Sequence, residues 1–295
     1  MRNEPEMLDL ILNTARADGR VRAVIMNGSR VNPDAPRDPF QDYDIVYVVT
    51  DVDSFKAEPD WIDVFGARMI MQLPDDMGDG PSAAGSYAYL MQFADGNRID
   101  LTLWPRANLA ALGRDSLSVL LLDKDGVIEP FPPPHNGDYL PQPPTAKEFA
   151  DCCNEFWWVM PYIAKGLWRD ELPYALFHRD VVVREQLVKM LMWQIGVQTD
   201  FRVSPGKNGK YFARLLPAAK WELYLQTYGP AEDAATWDTV ERMCRIFRET
   251  ALAVAARMGF DYPHGDDARV SAHLAHVRVL PRDAVDIDPV LDVST

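Results

Sequence analysis

The sequence predicts an α/β or α+β N-terminal domain, a mixed sheet with packed helices, followed by a C-terminal helical domain. Three observations carry this reading. Between residues 21 and 127, short apolar runs with strand-like alternation are separated by turn residues. Between residues 131 and 145, prolines interrupt any regular element. Beyond residue 146, apolar residues recur with helical spacing. At 295 residues, the chain is long enough for two domains of ordinary size.

The composition narrows the class. With 47% hydrophobic and 25% charged residues, the chain is globular rather than disordered. No apolar run approaches the roughly 18 to 20 residues of a membrane span, so no membrane partner is expected. The segment MRNEPEMLDL lacks the apolar core of a secretory signal. Three cysteines, two of them adjacent, provide neither a disulfide framework nor metal-ligand spacing; a cytoplasmic location is expected. The formal net charge of −14 fits poorly with gripping nucleic-acid phosphates, so no nucleic acid is expected. An acidic surface instead suits a polycationic small molecule.

In chain order, Asn3 followed by Glu6 makes a capping pattern with Pro5 in the first turn. Met7, Leu8, Leu10, Ile11 and Ala15 form an apolar stripe, so residues 4–17 are predicted helical, ended by Asp18-Gly19. An apolar strand from Val21 to Met26 then runs into Asn27-Gly28-Ser29-Arg30. The spacer NPDAPRDPF, with three prolines, is a loop. A second strand, Asp42 to Val49, opens with two aspartates one residue apart. Asp42 and Asp44 project from one face, and Tyr43, Ile45 and Tyr47 from the other. Carboxylates about 7 Å apart along a strand edge are placed to hold hard divalent cations. Gly28 permits a positive φ and close backbone approach, so successive N–H groups there, with the Ser29 hydroxyl, are predicted to cup a phosphate.

Residues 65–72 read as a short strand and 74–85 as a flexible turn. Tyr87 to Phe93 and Arg98 to Trp104 read as a hairpin joined by Ala-Asp-Gly-Asn. In its second arm, Ile99, Leu101 and Leu103 share one face, and Arg98, Asp100 and Thr102 the other. An aspartate in an apolar strand is costly to bury without partners, so Asp100 should face a wet or metal-bearing site. Residues 119–122 add an edge strand. Helices are predicted over residues 146–164, 175–195, 209–216, 218–228 and 234–258, with their tryptophans as core. The final residues, 263–295, carry little pattern. His273 and His276 have the spacing of one helix face, without cysteine partners for zinc.

The ordered segments NGSRVNP, FQDYDIVYVV, NRIDLTL and KNGKYF resemble the nucleotidyltransferase superfamily, whose pattern is Gly-Ser, a spacer and Asp-x-Asp. Within it, they resemble the streptomycin (aminoglycoside 6-) adenylyltransferases, over about residues 1 to 260. The resemblance implies a nucleotidyltransferase domain at 1–135, a proline-rich linker at 136–145, a helical substrate-binding domain at 146–262 and a C-terminal tail at 263–295. It implies ATP as co-substrate and one or two Mg2+ ions held by Asp42, Asp44 and Asp100. Asp100 either completes the coordination or accepts the proton of the attacking hydroxyl. Gly28, Ser29 and Arg30 would face the phosphates, as would Lys207 and Lys210 in the turn SPGKNGKYF. The acceptor would be a cationic aminoglycoside, streptomycin favoured, bound where the domains meet. Asp180, Glu185 and Glu155 are its candidate acids. Asp180 with Arg184, and Glu185 with Lys189, are equally the i,i+4 pairs of an ordinary helix. A monomer or weak homodimer is expected. Two rivals remain at this stage: the same chemistry on another small molecule or a protein hydroxyl, and a non-catalytic nucleotide or drug binder.

Overall fold

Helix α1 (Glu4–Ala17) forms where the sequence provides both halves of a capping box. The Asn3 side chain accepts from the Glu6 amide, and the Glu6 carboxylate accepts from the Asn3 amide. Its stripe of Met7, Ile11 and Ala15 is fully buried against the sheet. The computed structural model describes residues 1–78 and 84–287. The chain divides into two compact units, Met1–Asp138 and Tyr139–Thr295.

The first unit is built on strands β1 (Val21–Asn27), β2 (Tyr43–Val49), β3 (Arg68–Gln72), β4 (Tyr87–Phe93), β5 (Arg98–Pro105) and β6 (Ser118–Asp123). They form one six-stranded sheet in the order β3-β4-β5-β2-β1-β6. Every neighbouring pair is antiparallel except β2 with β5, which is parallel. A short helix α2 (Asp53–Lys56) follows β2. One face of the sheet packs Tyr43, Ile45, Tyr47, Ile99, Leu101 and Leu103 with α1 and Phe55. The other face buries Ala23, Ile25, Val46 and Val48 under Trp104, Leu112 and Phe131. The interior strands β1 and β2 are therefore covered on both sides. The expected strand at 65–72 begins at Arg68, because residues 59–65 form a 3-10 turn with Ile62 and Phe65 buried. Within the expected turn at 74–85, Pro74–Asp76 is a 3-10 turn, and residues 79–83 lie outside the described residues.

The second unit is helical: α3 (Ala146–Trp168), α4 (Leu172–Phe177), α5 (Arg184–Gln198), α6 (Phe212–Leu215), α7 (Ala218–Leu225), α8 (Asp233–Met258) and α9 (His264–Val279). Thr145 and Glu148 start α3 with a second capping box. Its apolar face, including Phe149, Phe156, Trp157 and Ile163, shares one core with α5 and α8. Phe156 stacks on Phe247 of α8 at 3.7 Å between ring centroids. Trp157, Trp193 and Trp237 are buried there and Trp168 and Trp221 packed on it, but Trp158 is 63% exposed. Cys152, Cys153 and Cys244 are free and buried. No helix among the described residues is long and apolar enough to cross a membrane.

Two sequence expectations change here. The helix expected over 175–195 is α4, a π-helical turn (His178–Val183) and α5. The wider turn takes Arg179 inward beside Val183, and Arg184 at the start of α5 is buried next to it, at 4% and 8% exposure for the two arginines. An apolar pattern cannot register inward positions filled by arginine. Residues 264–279, expected as part of a loosely patterned tail, form α9, with Leu274 and Val277 in the core shared with α3. Residues 288–295, with Asp288, lie outside the described residues.

If α9 is integral to this unit, Leu274→Ala should lower its stability by about 2 to 3 kcal/mol. Urea unfolding followed by tryptophan fluorescence would measure this. A change under about 0.5 kcal/mol would mean that α9 lends no packing.

Candidate active site

The parallel pairing of β2 and β5 sets Asp44 directly opposite Asp100, and β1 sets Asn27 opposite Asp44. In-register neighbours in a sheet present their side chains on the same face, about 4.8 Å apart. Asp42, one residue before β2, adds a third carboxylate on that side. Oxygens of Asp42, Asp44 and Asp100 all lie within 4.8 Å of one another, and each residue is partly buried. Three anions so close repel, and partial burial adds to the penalty. The Asp44 carboxyl is accordingly pushed up to about 7, by burial first and then by the charges of Asp42 and Asp100. The donor set is all carboxylate oxygen on strand ends, which is the chemistry of a hard divalent cation.

Gly28 sits against this cluster with φ +79°, and a Cβ there would collide with the Asp44 carboxylate. Glycine is required by conformation and by space. The expected cradle is different in one respect: the Gly28 N–H is not directed at a ligand, because it donates to Leu117 O at 3.0 Å. What Gly28 contributes is its missing side chain. Residues Gly28–Arg30 form a 3-10 turn, and the Ser29 carbonyl accepts from Gln41 Nε2 at 3.1 Å.

Arg30 also differs from its sequence expectation as a phosphate contact. Its Nε donates to Asp42 O at 3.0 Å and its Nη2 to Gln41 O at 2.6 Å. The guanidinium stacks on the Tyr43 ring at 3.7 Å and pairs with Glu4 at 3.6 Å, with the side chain only 9% exposed. Arg30 is thus a clamp joining the glycine turn to the backbone immediately before Asp44. A planar fork meets two carbonyls and a ring face in a way that lysine does not.

Sequence reasoning missed the closest cation. Arg98 donates through Nε and Nη2 to the two oxygens of Asp100 at 2.7 and 2.6 Å, and lies 3.9 Å from Asp42 Oδ2. The available signal was its position two residues before Asp100, hence on the same strand face. Asp115 was also missed. Its carboxylate accepts from the Leu117 amide at 2.7 Å, and its charge contributes to raising Asp44.

The remaining predicted residues belong to the second unit. Lys207 and Lys210 are exposed around a strained turn, with positive φ at Gly206, Asn208 and Gly209. Glu155 and Glu185 are exposed. Asp180, on the π-helical turn, accepts from Arg179 at 2.8 Å through both oxygens and from Arg184 at 3.4 Å. Arg179 also reaches Thr236 and Thr239, and Arg184 reaches Thr227. Asp180 is therefore the counter-charge of two buried arginines.

A family model described as streptomycin adenylyltransferase matches residues 1–277. The chain is similar to an aminoglycoside 6-adenylyltransferase of Campylobacter jejuni, 41% identical over 268 residues, covering 90% of this chain and 93% of that one. It is likewise 41% identical over 270 residues to the protein of that name from Bacillus subtilis (strain 168), covering 90% and 95%. A third, from Staphylococcus aureus, is 34% identical over 270 residues, covering 90% and 95%. Among solved structures, the crystal structure of an aminoglycoside 6-adenyltransferase from Bacillus subtilis matches at 35% identity. It covers 95% of this chain and all of that one, with a TM-score of 0.48.

A divalent ion held at this cluster would compete with a proton on Asp44. Lowering the pH from 8 to 6 crosses the Asp44 value of about 7, so Mn2+ affinity should fall about tenfold. Titration calorimetry at the two pH values measures it; equal affinities would show that Asp44 is not a ligand.

Proposed function

The chain belongs to the streptomycin adenylyltransferase family, and on that premise we propose that it transfers AMP from ATP to a hydroxyl of an aminoglycoside. Streptomycin is the favoured acceptor and pyrophosphate the second product. That the chain is an adenylyltransferase follows from its family. The observation that carries the site assignment is the meeting of Asp42, Asp44 and Asp100 at one point beside a turn that only glycine can form.

The acceptor oxygen forms a bond to the α-phosphorus, the bond to pyrophosphate breaks, and the hydroxyl proton leaves. Asp42, Asp44 and Asp100 would hold one or two Mg2+ ions, which supply charge neutralisation to the phosphates. Asp100 is assigned to that coordination or to the hydroxyl proton; both roles need a carboxylate where Asp100 stands, opposite Asp44. General-base assistance of this kind contributes about 10² to 10⁴ in rate. The Ser29 hydroxyl and the two lysines, Lys207 and Lys210, are proposed contacts of the triphosphate, the lysines as mobile point charges. Arg30 is reassigned to holding the Gln41–Asp42 backbone, on the strength of its four contacts.

For the acceptor, Glu185 and Glu155 now rank ahead of Asp180, whose charge Arg179 and Arg184 already balance. A charge-assisted contact to a guanidinium that is shielded from water on binding contributes about 1.5 to 3 kcal/mol, whereas an acid left exposed contributes under about 1 kcal/mol and is screened by salt. Adenylylation places a phosphodiester anion on a cationic drug, which would lower its affinity for anionic RNA and so inactivate it.

The test is pyrophosphate release across a panel of aminoglycosides, with and without Mg2+, for the wild type, Asp42→Asn and Asp44→Asn. Streptomycin should support release only with Mg2+, and each variant should lose at least about 100-fold in kcat/KM, or about 2.7 kcal/mol. A variant keeping more than about a tenth of wild-type kcat/KM would remove that residue from the chemistry. Release with another acceptor but not streptomycin would reassign the substrate.

A further inference from the structure

We infer that Arg98 is the internal counter-ion of the carboxylate cluster, holding oxygens that a divalent cation would bind, and that metal binding displaces it. The inference rests on the reading of Asp42, Asp44 and Asp100 as metal ligands. Arg98 and Asp100 are two apart on β5 and share a face, so the guanidinium folds back over the carboxylate. Both oxygens of Asp100 accept from it, at 2.7 and 2.6 Å, and a third contact reaches Asp42 Oδ2 at 3.9 Å. One cation thereby spans two of the three carboxylates.

The Arg98 fork holds a lone pair on each Asp100 oxygen, so a metal ion that binds Asp100 competes with it for charge and for space. A guanidinium carries one charge and meets oxygen at hydrogen-bond distance; a divalent ion carries two and approaches to about 2.1 to 2.6 Å. The ion therefore wins the exchange where it is plentiful, and Arg98 sets how plentiful it must be. The displaced side chain has solvent to move into, because Arg98 is 44% exposed even while paired. Its counterpart, Arg30, is 9% exposed and fixed by backbone carbonyls, so the two arginines of the site differ in kind: one a permanent clamp, the other a removable plug. Once released, the planar fork is a bidentate partner for phosphate, so the same exchange that admits the metal frees a ligand for the nucleotide that accompanies it.

Mn2+ titration of the full chain without nucleotide, in wild type, Arg98→Lys and Arg98→Gln, tests this, together with the ¹⁵N-detected Nε–H signal of Arg98 in the wild type. Lysine keeps the charge but loses the fork. Both variants should bind Mn2+ at least about fivefold tighter than wild type, and saturating Mg2+ should shift the Arg98 Nε–H signal out of its hydrogen-bonded position. Tighter binding by Arg98→Gln alone would reduce Arg98 to a nearby charge and overturn the proposal. So would an Nε–H signal unmoved by Mg2+. The absence of Mn2+ binding in all three proteins would instead overturn the metal assignment itself, and this proposal with it.

Discussion

The parallel alignment of β2 with β5 is the constraint on which the site depends. Pairing Asp44 with Asp100 costs electrostatic energy that Arg98 offsets only in part, and it persists because the same register buries Ile45 with Leu101 and Tyr47 with Leu103. A slip of one residue would turn those side chains out of the core. The apolar face therefore enforces an arrangement that the polar face resists. The Asp44 carboxyl is raised to about 7 by burial first and then by its acidic neighbours, and a cation held between the carboxylates would relieve that repulsion.

Around that strained point, the chain provides supports of two sorts. Gly28 yields the volume that the Asp44 carboxylate occupies, and Arg30 holds the approach of the chain to β2 through two carbonyls and the Tyr43 ring. Tyr47 is tied from the far side by donating to Ile11 O of α1 at 2.5 Å. Secondary elements and buried side chains thus fix the carboxylates before any ligand arrives, which is how binding and catalytic groups keep their geometry.

Much of this was legible in the sequence, because it rests on spacing. The capping residues of α1, the alternation in β2 and β5 and the glycine before an aspartate pair each read directly from neighbours in the chain. Asp42 and Asp44 read as a pair in the same way, and the family resemblance added Asp100 to them. What was not legible depends on partners far apart in sequence. Arg30 looked like a phosphate ligand until Gln41, Asp42 and Glu4 were seen around it. For Asp180 the spacing offered Arg184 as a partner but not Arg179, which turns inward through a π-turn that no apolar period announces. α9 was hidden because only a few of its residues are apolar anchors, although two of them are buried.

The central claim is that Asp42, Asp44 and Asp100 hold a divalent ion together. Anomalous diffraction from crystals grown with Mn2+ and a non-hydrolysable ATP analogue tests it most directly. The account predicts a Mn2+ peak bound by oxygens of all three carboxylates. Mn2+ found only elsewhere, with Asp100 still paired to Arg98, would contradict it.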